Sequence, residues 1–279
     1  MNKNQLTNRI HTLCEQTGAS FNAILTLYFL ESILRRIAAS DKEKSFIFKG
    51  GFLLASSLGL AIRTTKDIDI QIQGISIEQT YLTNTIQSIL NIDLNDQIRY
   101  EILGIEPIRQ TDPYGAIRCK ILCKFENIKQ TVSIDVATGD PISPHVKRYP
   151  YKTLFSQEVL SILSVSVETI LSEKFHTIIY RGLASSRSKD FYDIYIIMKL
   201  KLNQIIKEDL IAAFQNTFQY RNTILNFDNC TNLLADIKGN TLLRARWDAY
   251  AQQNTYAKDI KFDETIQACS KLLDLISND

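Results

Sequence analysis

Two aspartates separated by one residue lie in a stretch that otherwise has the composition of a β-strand. The stretch is RTTKDIDIQI, and its acidic residues are Asp67 and Asp69. Because alternate residues of a strand face the same side, we expect both carboxylates on one face, with Ile68 and Ile70 on the other. Two neighbouring negative charges repel each other unless a cation lies between them. The pattern therefore indicates a cation site on this strand.

A third acidic residue, Asp135, lies in VSIDVATGD, on a strand that could neighbour the first. Carboxylates are hard oxygen ligands of the kind that suit Mg²⁺ or Mn²⁺. Such ions bind substrate phosphates, and a pair of them stabilises in-line displacement at phosphorus. We therefore predict that Asp67, Asp69 and Asp135 bind metal for this chemistry. Two alternatives remain. Asp135 could only accept hydrogen bonds from local amides at a strand end, and the D-x-D pattern could belong to another class of enzyme, such as a glycosyltransferase.

A glycine pair lies before the acidic strand, between a short strand and a helix. In FKGGFLLASSLGL, Gly50 and Gly51 follow the strand SFIF and should begin a helix that ends near Gly59. Glycine lets phosphate oxygens approach the backbone, and a helix N-terminus offers free N–H groups and a positive dipole end. We expect Gly50 and Gly51 to bind nucleotide phosphates, although no P-loop pattern G-x-x-x-x-G-K-[ST] occurs.

A lysine and two aspartates with helical spacing lie in the second half of the chain. Lys174, in VETILSEKFHTII, shares a stripe with apolar residues, so its ammonium group needs an anionic partner. A triphosphate, Asp67 and Asp135 are candidates, and a lysine that reaches solvent while its stem covers the core is the alternative. Asp190 and Asp193, in SSRSKDFYDIYII, fall on one helical face.

Basic residues begin that same helix, at the end where the helix dipole disfavours positive charge. They are Arg187 and Lys189. Asp190 could pair with either of them, and an exposed pair of this kind contributes little. The unfavourable position nevertheless indicates another role, and we expect Lys189 to contact the nucleotide.

These residues must be positioned by a sheet module and a following helical module. Alternation and β-branched or aromatic content predict strands over SFIF and TKDIDIQI and over residues 97–105, 115–125 and 128–137. Apolar periodicity predicts helices at 5–16, 20–39, 76–90, 166–181 and 187–200, and almost throughout from 203 to 277. The fold class is α/β (α+β). Prolines cluster near residues 145–160, so we place the boundary between a domain of residues 1–150 and one of 151–279.

Composition is that of a globular protein, since the 279 residues are 45% hydrophobic and 22% charged. The net charge of +2 neither demands nor excludes a nucleic-acid partner. We expect no membrane association, because no apolar run would span a bilayer and the N-terminus lacks a signal-peptide pattern. We expect a cytoplasmic location, because reduced thiols are the simplest account of an odd number of cysteines in a chain of this length. Five cysteines match no zinc framework, and three scattered histidines give little support for a histidine metal site.

Four motifs in this order resemble the AbiEii/MenT-type nucleotidyltransferase toxins of the DNA-polymerase-β-like nucleotidyltransferase superfamily. They are FIFKGGFLLASSLGLAIRTTKDIDIQI, SIDVATGD, ETILSEKFHTIIYRG and SRSKDFYDIYII, within residues 46–200. The resemblance implies a mixed sheet of the nucleotidyltransferase type flanked by helices. One departure is that Gly50-Gly51 stands where the wider superfamily has Gly-Ser, so that no hydroxyl from residue 51 can contact the phosphates.

The resemblance also implies roles for the candidate residues. Asp67 and Asp69 would bind divalent metal with Asp135 as a third carboxylate, and Lys174 would contact the nucleotide phosphates. The helical domain would contribute Lys174 and Asp190 or Asp193 to the cleft, where an aspartate would aid the acceptor or fix the lysine. The residues that match the Arg and Ser/Thr preceding the aspartates in relatives are Arg63 and Thr65.

The implied reaction transfers a nucleoside monophosphate from an NTP to a hydroxyl and releases pyrophosphate. The implied acceptor is the 3′ end of tRNA, and the implied partner is a cognate antitoxin. Two alternatives stay open from the sequence. The same fold could modify a small molecule such as an aminoglycoside, or a protein, and a degenerate member could act only as a binding protein.

Overall fold

The computed structural model describes residues 1–59, 61, 65, 67–108, 116–139, 142–143 and 145–277. The predicted site residue Arg63 lies outside them. The chain forms two compact units. The sheet unit comprises Met1–Asp140 and Lys147–Ser164, and the helical unit comprises Pro141–Val146 and Val165–Asp279.

A mixed sheet organises the first unit and confirms the predicted α/β class. Its described strands are β1 (Phe46–Lys49), β2 (Asp67–Ile72), β3 (Arg99–Ile108), β4 (Ala116–Phe125), β5 (Ile128–Ala137), β6 (Lys147–Lys152) and β7 (Val159–Ser164). Their order is β3-β4-β5-β2-β1-β7-β6. The β2–β5 and β1–β7 pairs are parallel, and the other neighbours are antiparallel.

Four α-helices accompany these strands in the described part of the unit. They are α1 (Lys3–Thr17), α2 (Phe21–Ala39), α3 (Gly50–Leu58) and α4 (Gln79–Leu90). Ile33 of α2 and Ile86 of α4 pack around Ile134 of β5. Ile134 is the register partner of Ile68, so α2 and α4 cover the sheet face opposite to the aspartates of β2.

The predicted boundary at residue 150 falls within β6. Prolines are confined to sheet edges, since they donate no ladder hydrogen bond, and β6 is an edge strand in which Pro150 lies opposite Ser161. The following strand, β7, pairs with β1. Residues 151–164 therefore complete the sheet, and the described helical segment begins with α5 after Ser166.

A buried carboxylate fastens β6 and the loop after it to α2. Glu31 is 5% exposed, and its Oε2 accepts hydrogen bonds from the Tyr151 hydroxyl (3.0 Å) and the Leu154 N–H (2.7 Å). Burial raises the pKa of Glu31 to about 7, against the opposing effect of these two donors.

The helical unit is built from α5 (Val167–Arg181), α6 (Ser188–Leu200), α7 (Lys207–Tyr220), α8 (Phe227–Gly239), α9 (Thr241–Gln253) and α10 (Phe262–Ser277). Helix α5 packs against α6 and α7, and α10 packs against α6 and α8. Aromatic residues fill this core, and the indole N–H of buried Trp247 donates to the carbonyl of Ile260 (3.0 Å). No single described helix is long and apolar enough to cross a membrane; α1 and α2 reach that length only as a pair bent by 117°.

Candidate functional site

The acidic residues of the sheet unit lie on one face of neighbouring strands. Along β2, the half-buried Asp67 and Asp69 alternate with Ile68 and Ile70, which are fully buried. Asp69 is the register partner of Asp135 on the parallel strand β5. Adjacent strands are about 4.8 Å apart, so the three carboxylates project side by side from the sheet. The structure thus brings together the three aspartates that the sequence singles out.

A protein cation, Arg118 of β4, lies among these carboxylates. Its guanidinium group forms a fork with Asp135, in which Nε donates to Oδ1 and NH2 donates to Oδ2, both at 2.7 Å. The same NH2 lies 3.7 Å from Oδ2 of Asp67. These carboxylates raise the pKa of Arg118, chiefly through its hydrogen bonds to Asp135. Arg118 was not among the predicted site residues.

The hairpin register explains the position of Arg118. Strands β4 and β5 are joined by a tight turn, and Phe125 pairs with Ile128. Counting outward from that pair along both strands brings residue 118 opposite Asp135. Cross-strand partners in an antiparallel pair share a face, so this counting is the sequence signal that would have identified Arg118.

Two negative charges lie between two positive charges across four adjacent strands. The register runs from Lys49 of β1 to Asp69 of β2, then to Asp135 of β5 and Arg118 of β4. Lys49 is 5% exposed and is the residue in the N-cap position, directly before α3. The negative charges of the two inner strands are therefore flanked by positive charges on the outer strands, which offsets their mutual repulsion.

The glycine pair is packed against the carboxylate of Asp69. Helix α3 begins at Gly50, as predicted, and the N–H of Gly51 donates to Oδ2 of Asp69 at 3.2 Å. Gly50 has a φ of +65°, and a Cβ there would lie 2.0 Å from the same oxygen. Only glycine combines this backbone conformation with so close an approach. The carboxylate also lies at the positive end of the α3 dipole, which stabilises its charge.

Thr65 fixes the other aspartate of β2. Its hydroxyl lies 3.0 Å from the carbonyl oxygen of Asp67 and 3.1 Å from Oδ1 of the same residue, and both oxygens can accept its hydrogen bond. Thr65 is 7% exposed, so these bonds are shielded from competing water. The residue predicted to contact nucleotide thus orients a carboxylate in the structure.

The oxygen donors of this face fit a divalent cation. Aspartate oxygens are hard ligands, and Asp67 and Asp69 project on the same side of one strand. Both oxygens of Asp135, however, accept hydrogen bonds from Arg118. Among the described residues, no three His, Cys, Asp or Glu side chains are grouped so that they could hold a metal ion. A full three-carboxylate site requires Asp135 to exchange its partner.

A second charged cluster lies within the helical unit, where α5 packs against α6. Nζ of Lys174 lies 2.6 Å from Oδ2 of Asp193 and 3.2 Å from Oδ1 of Asp190. Both aspartates are fully buried, and the lysine side chain is 11% exposed. In this structure the ion-pair partners of Lys174 are therefore the two aspartates of α6, and this matches one of the two roles that the family resemblance implies for them, fixing the lysine.

Arg187 completes this cluster from the start of α6. Its Nε and NH2 donate to the two carboxylate oxygens of Asp190. Burial alone would raise the pKa of Asp190, but Lys174, Arg187 and the exposed Lys189 together lower it to about 2. Because Asp190 is buried, its ion pairs differ from the exposed, weak pair considered from the sequence.

Two solved structures resemble the fold. A candidate nucleotidyltransferase from H. pylori has a TM-score of 0.54 and 15% identity, over 92% of this chain and 96% of that protein. JHP933 from Helicobacter pylori has a TM-score of 0.50 and 17% identity, over 92% of each chain. At these identities the likeness establishes the fold alone. A comparison with curated protein sequences finds no match.

The family follows from the sequence itself. The family model described as "Nucleotidyl transferase AbiEii toxin, Type IV TA system" matches residues 32–268, which includes most of both units. The match contains the glycine pair, the three aspartates of the sheet unit and the lysine–aspartate cluster of the helical unit. The chain therefore belongs to the AbiEii family of nucleotidyltransferase toxins and is itself a nucleotidyltransferase.

Proposed function

We propose that this enzyme transfers a nucleoside monophosphate from an NTP to a hydroxyl of RNA, with the 3′ end of tRNA as the acceptor, in a metal-dependent reaction. One observation carries the proposal. Asp67 and Asp69 project from one face of β2 beside Asp135, and Asp69 lies at the N-terminus of α3. A row of carboxylates beside a positive helix end suits a cation and the phosphates that it accompanies.

Each residue of the sheet face has a distinct part in this proposal. Asp67 and Asp69 hold Mg²⁺ or Mn²⁺, and Asp135 is the third carboxylate. A bound divalent ion supplies charge neutralisation at the triphosphate and activation of the attacking hydroxyl. Thr65 and Gly51 orient Asp67 and Asp69 through the hydrogen bonds described above.

Lys174 of the helical cluster supplies a positive charge whose position is fixed by its aspartate partners. We assign Lys174 to the nucleotide phosphates, with Lys189 as a further basic contact. Asp193 and Asp190 hold the ammonium group of Lys174 in one position. A pre-positioned charge costs little reorganisation when a phosphate binds, which is how electrostatic contacts accelerate phosphoryl transfer.

The family description leads us to propose a cognate antitoxin as the biological partner. Because NTPs and tRNA are the proposed substrates, we place the reaction in the cytoplasm. The modified tRNA would lack a usable 3′ end, so translation would stop.

The test is a labelling matrix of four NTPs against several acceptors, with Mg²⁺ present. The acceptors are purified tRNA, the same tRNA after periodate oxidation of its 3′ ribose, an aminoglycoside and a protein extract. We expect label only on intact tRNA. Label on oxidised tRNA would contradict a 3′-hydroxyl acceptor. Label on the aminoglycoside or on protein, without label on tRNA, would show that RNA is not the acceptor.

Variants assign the activity to the acidic face. We expect Asp67→Asn and Asp69→Asn to lower labelling by on the order of 1,000-fold, because several kcal/mol of charge stabilisation are lost. Asp41→Asn is the matched control, since this side chain is 86% exposed and lies outside the site. Labelling that persists in both site variants would refute the assignment. Growth arrest on expression of the wild type, but not of Asp67→Asn, would link the activity to toxicity.

A further inference from the structure

Arg118 occupies the position among the carboxylates where a cation is expected. Its guanidinium group engages both oxygens of Asp135 and lies 3.7 Å from Asp67. About a third of its side chain (34%) is exposed, whereas Asp135 is 11% exposed. The arginine can therefore swing into solvent, while the aspartate stays on the sheet face.

We propose that Arg118 is a displaceable counter-charge: it holds Asp135 in the metal-free enzyme and releases this carboxylate when a divalent cation binds at Asp67 and Asp69. This inference rests on the proposed function, because it presupposes metal binding at the acidic face.

The two states compete for the same oxygens. A bidentate arginine fork uses both oxygens of a carboxylate and is among the stronger hydrogen-bonded pairs in proteins. A metal ion that takes Asp135 as a ligand must first break that fork. Arg118 therefore weakens metal binding, and it also stabilises the metal-free protein, since without it three neighbouring carboxylates would repel one another.

The geometry limits the competition to one residue of β4. Lys120, the next residue on the same face, lies opposite Ser133 and pairs with Glu106 at 2.9 Å. It carries the same charge on the same strand, but its ion-pair partner belongs to β3 and not to the three aspartates. Lys120→Gln is thus a matched control for Arg118→Gln.

The experiment is calorimetric titration of the full-length protein with MnCl₂ in the absence of nucleotide, so that the readout does not depend on catalysis. We expect Arg118→Gln to bind Mn²⁺ about tenfold more tightly than the wild type, which corresponds to the loss of one competing ionic hydrogen bond. We also expect a lower melting temperature without metal and a larger rise on adding it. Lys120→Gln should match the wild type within about twofold.

A second variant distinguishes the effect of the two hydrogen bonds to Asp135 from the effect of the positive charge of Arg118. Arg118→Lys retains the positive charge but cannot engage both oxygens in the same planar fork. If displacement governs affinity, Arg118→Lys also binds Mn²⁺ more tightly. If it binds like the wild type while Arg118→Gln binds more tightly, long-range charge alone explains the effect and the proposal is overturned.

Asp67→Asn distinguishes failure of this inference from failure of the proposed function. Unchanged or weaker binding by Arg118→Gln, with binding abolished by Asp67→Asn, would leave the metal site and refute the role of Arg118. Absence of binding to the wild type and to both Arg118 variants would refute both. The melting curve of Arg118→Gln, measured in the same buffers, shows whether this variant is folded.

Discussion

Substitution of Gly50 by alanine tests the link between the glycine pair and Asp69. The new Cβ would lie 2.0 Å from Oδ2 of Asp69, whereas uncrowded contacts begin near 3.4 Å. The carboxylate must therefore move by more than about 1 Å, since heavy atoms at optimal separation lie about 3.5–4.0 Å apart. That movement breaks its hydrogen bond from the Gly51 N–H.

Two costs add in this variant. A residue with a Cβ at positive φ costs about 1–2 kcal/mol, and loss of a hydrogen bond to a charged group costs about 1.5–3 kcal/mol. We expect Gly50→Ala to lower the free energy of unfolding by about 3–4 kcal/mol. Displacing a catalytic carboxylate by about 1 Å should also lower nucleotidyl transfer by roughly 100-fold.

Gly18→Ala is the matched control, because Gly18 has nearly the same φ (+70°) and no atom within 4 Å of the added Cβ. It carries the backbone cost alone, so we expect a loss of about 1–2 kcal/mol with full activity. Urea denaturation and the tRNA labelling assay measure the two effects. If Gly50→Ala is as stable and as active as Gly18→Ala, the close packing of the glycine on Asp69 has no functional consequence and the reasoning is wrong.

Three further predictions concern buried carboxylates. Asp193→Asn should lower the free energy of unfolding in urea by about 3 kcal/mol, because Lys174 loses its nearer charged partner; a loss below about 1 kcal/mol would contradict this. The pKa of Asp190 is lowered from 3.8 to about 2, so its stabilisation of about 2 kcal/mol is present above pH 4 and is lost as the pH falls to 2. Acid denaturation of Asp190→Asn, which should lack this dependence, measures it. The pKa of Glu31 is raised from 4.5 to about 7, so stability should fall by about 3 kcal/mol from pH 4.5 to 7. Glu31→Gln, whose amide oxygen can still accept from the Leu154 N–H, should abolish this loss in melting curves recorded across that range.

The local pattern of β2 predicted the orientation of the acidic residues. The alternation of side chains along a strand requires no information from the rest of the chain. It places the buried Ile68 and Ile70 on the face opposite to the half-buried aspartates. The start of α3 at Gly50 was predictable for the same reason, because two glycines after a short strand carry their own conformational signal. These features depend on residues that are close in sequence.

Pairings between distant segments were not predictable from local patterns. The proline cluster indicated a domain boundary, but Pro150 is tolerated in β6 because that strand lies at the sheet edge. Strand β7 is defined by its parallel pairing with β1, more than one hundred residues earlier in the chain. The helical stripe alone indicates that Lys174 needs an anionic partner, and only the family resemblance pointed to Asp190 or Asp193, because their pairing with the lysine depends on the packing of α5 on α6.

The D-x-D pattern indicates that a cation balances its charge but does not identify that cation. In the fold, the cation is Arg118 of β4. Arg118 reaches this face because of the register of the β4–β5 hairpin. The turn pairs Phe125 with Ile128, and Arg118 and Asp135 each lie seven residues from that pair along their strands. Because Arg118 offsets part of the repulsion among the carboxylates, the acidic face can fold without a bound metal ion. Arg118 then lowers the metal affinity while it raises the folding stability of the metal-free protein. Substitutions of Arg118 should move the two quantities in opposite directions, which a purely structural salt bridge would not do.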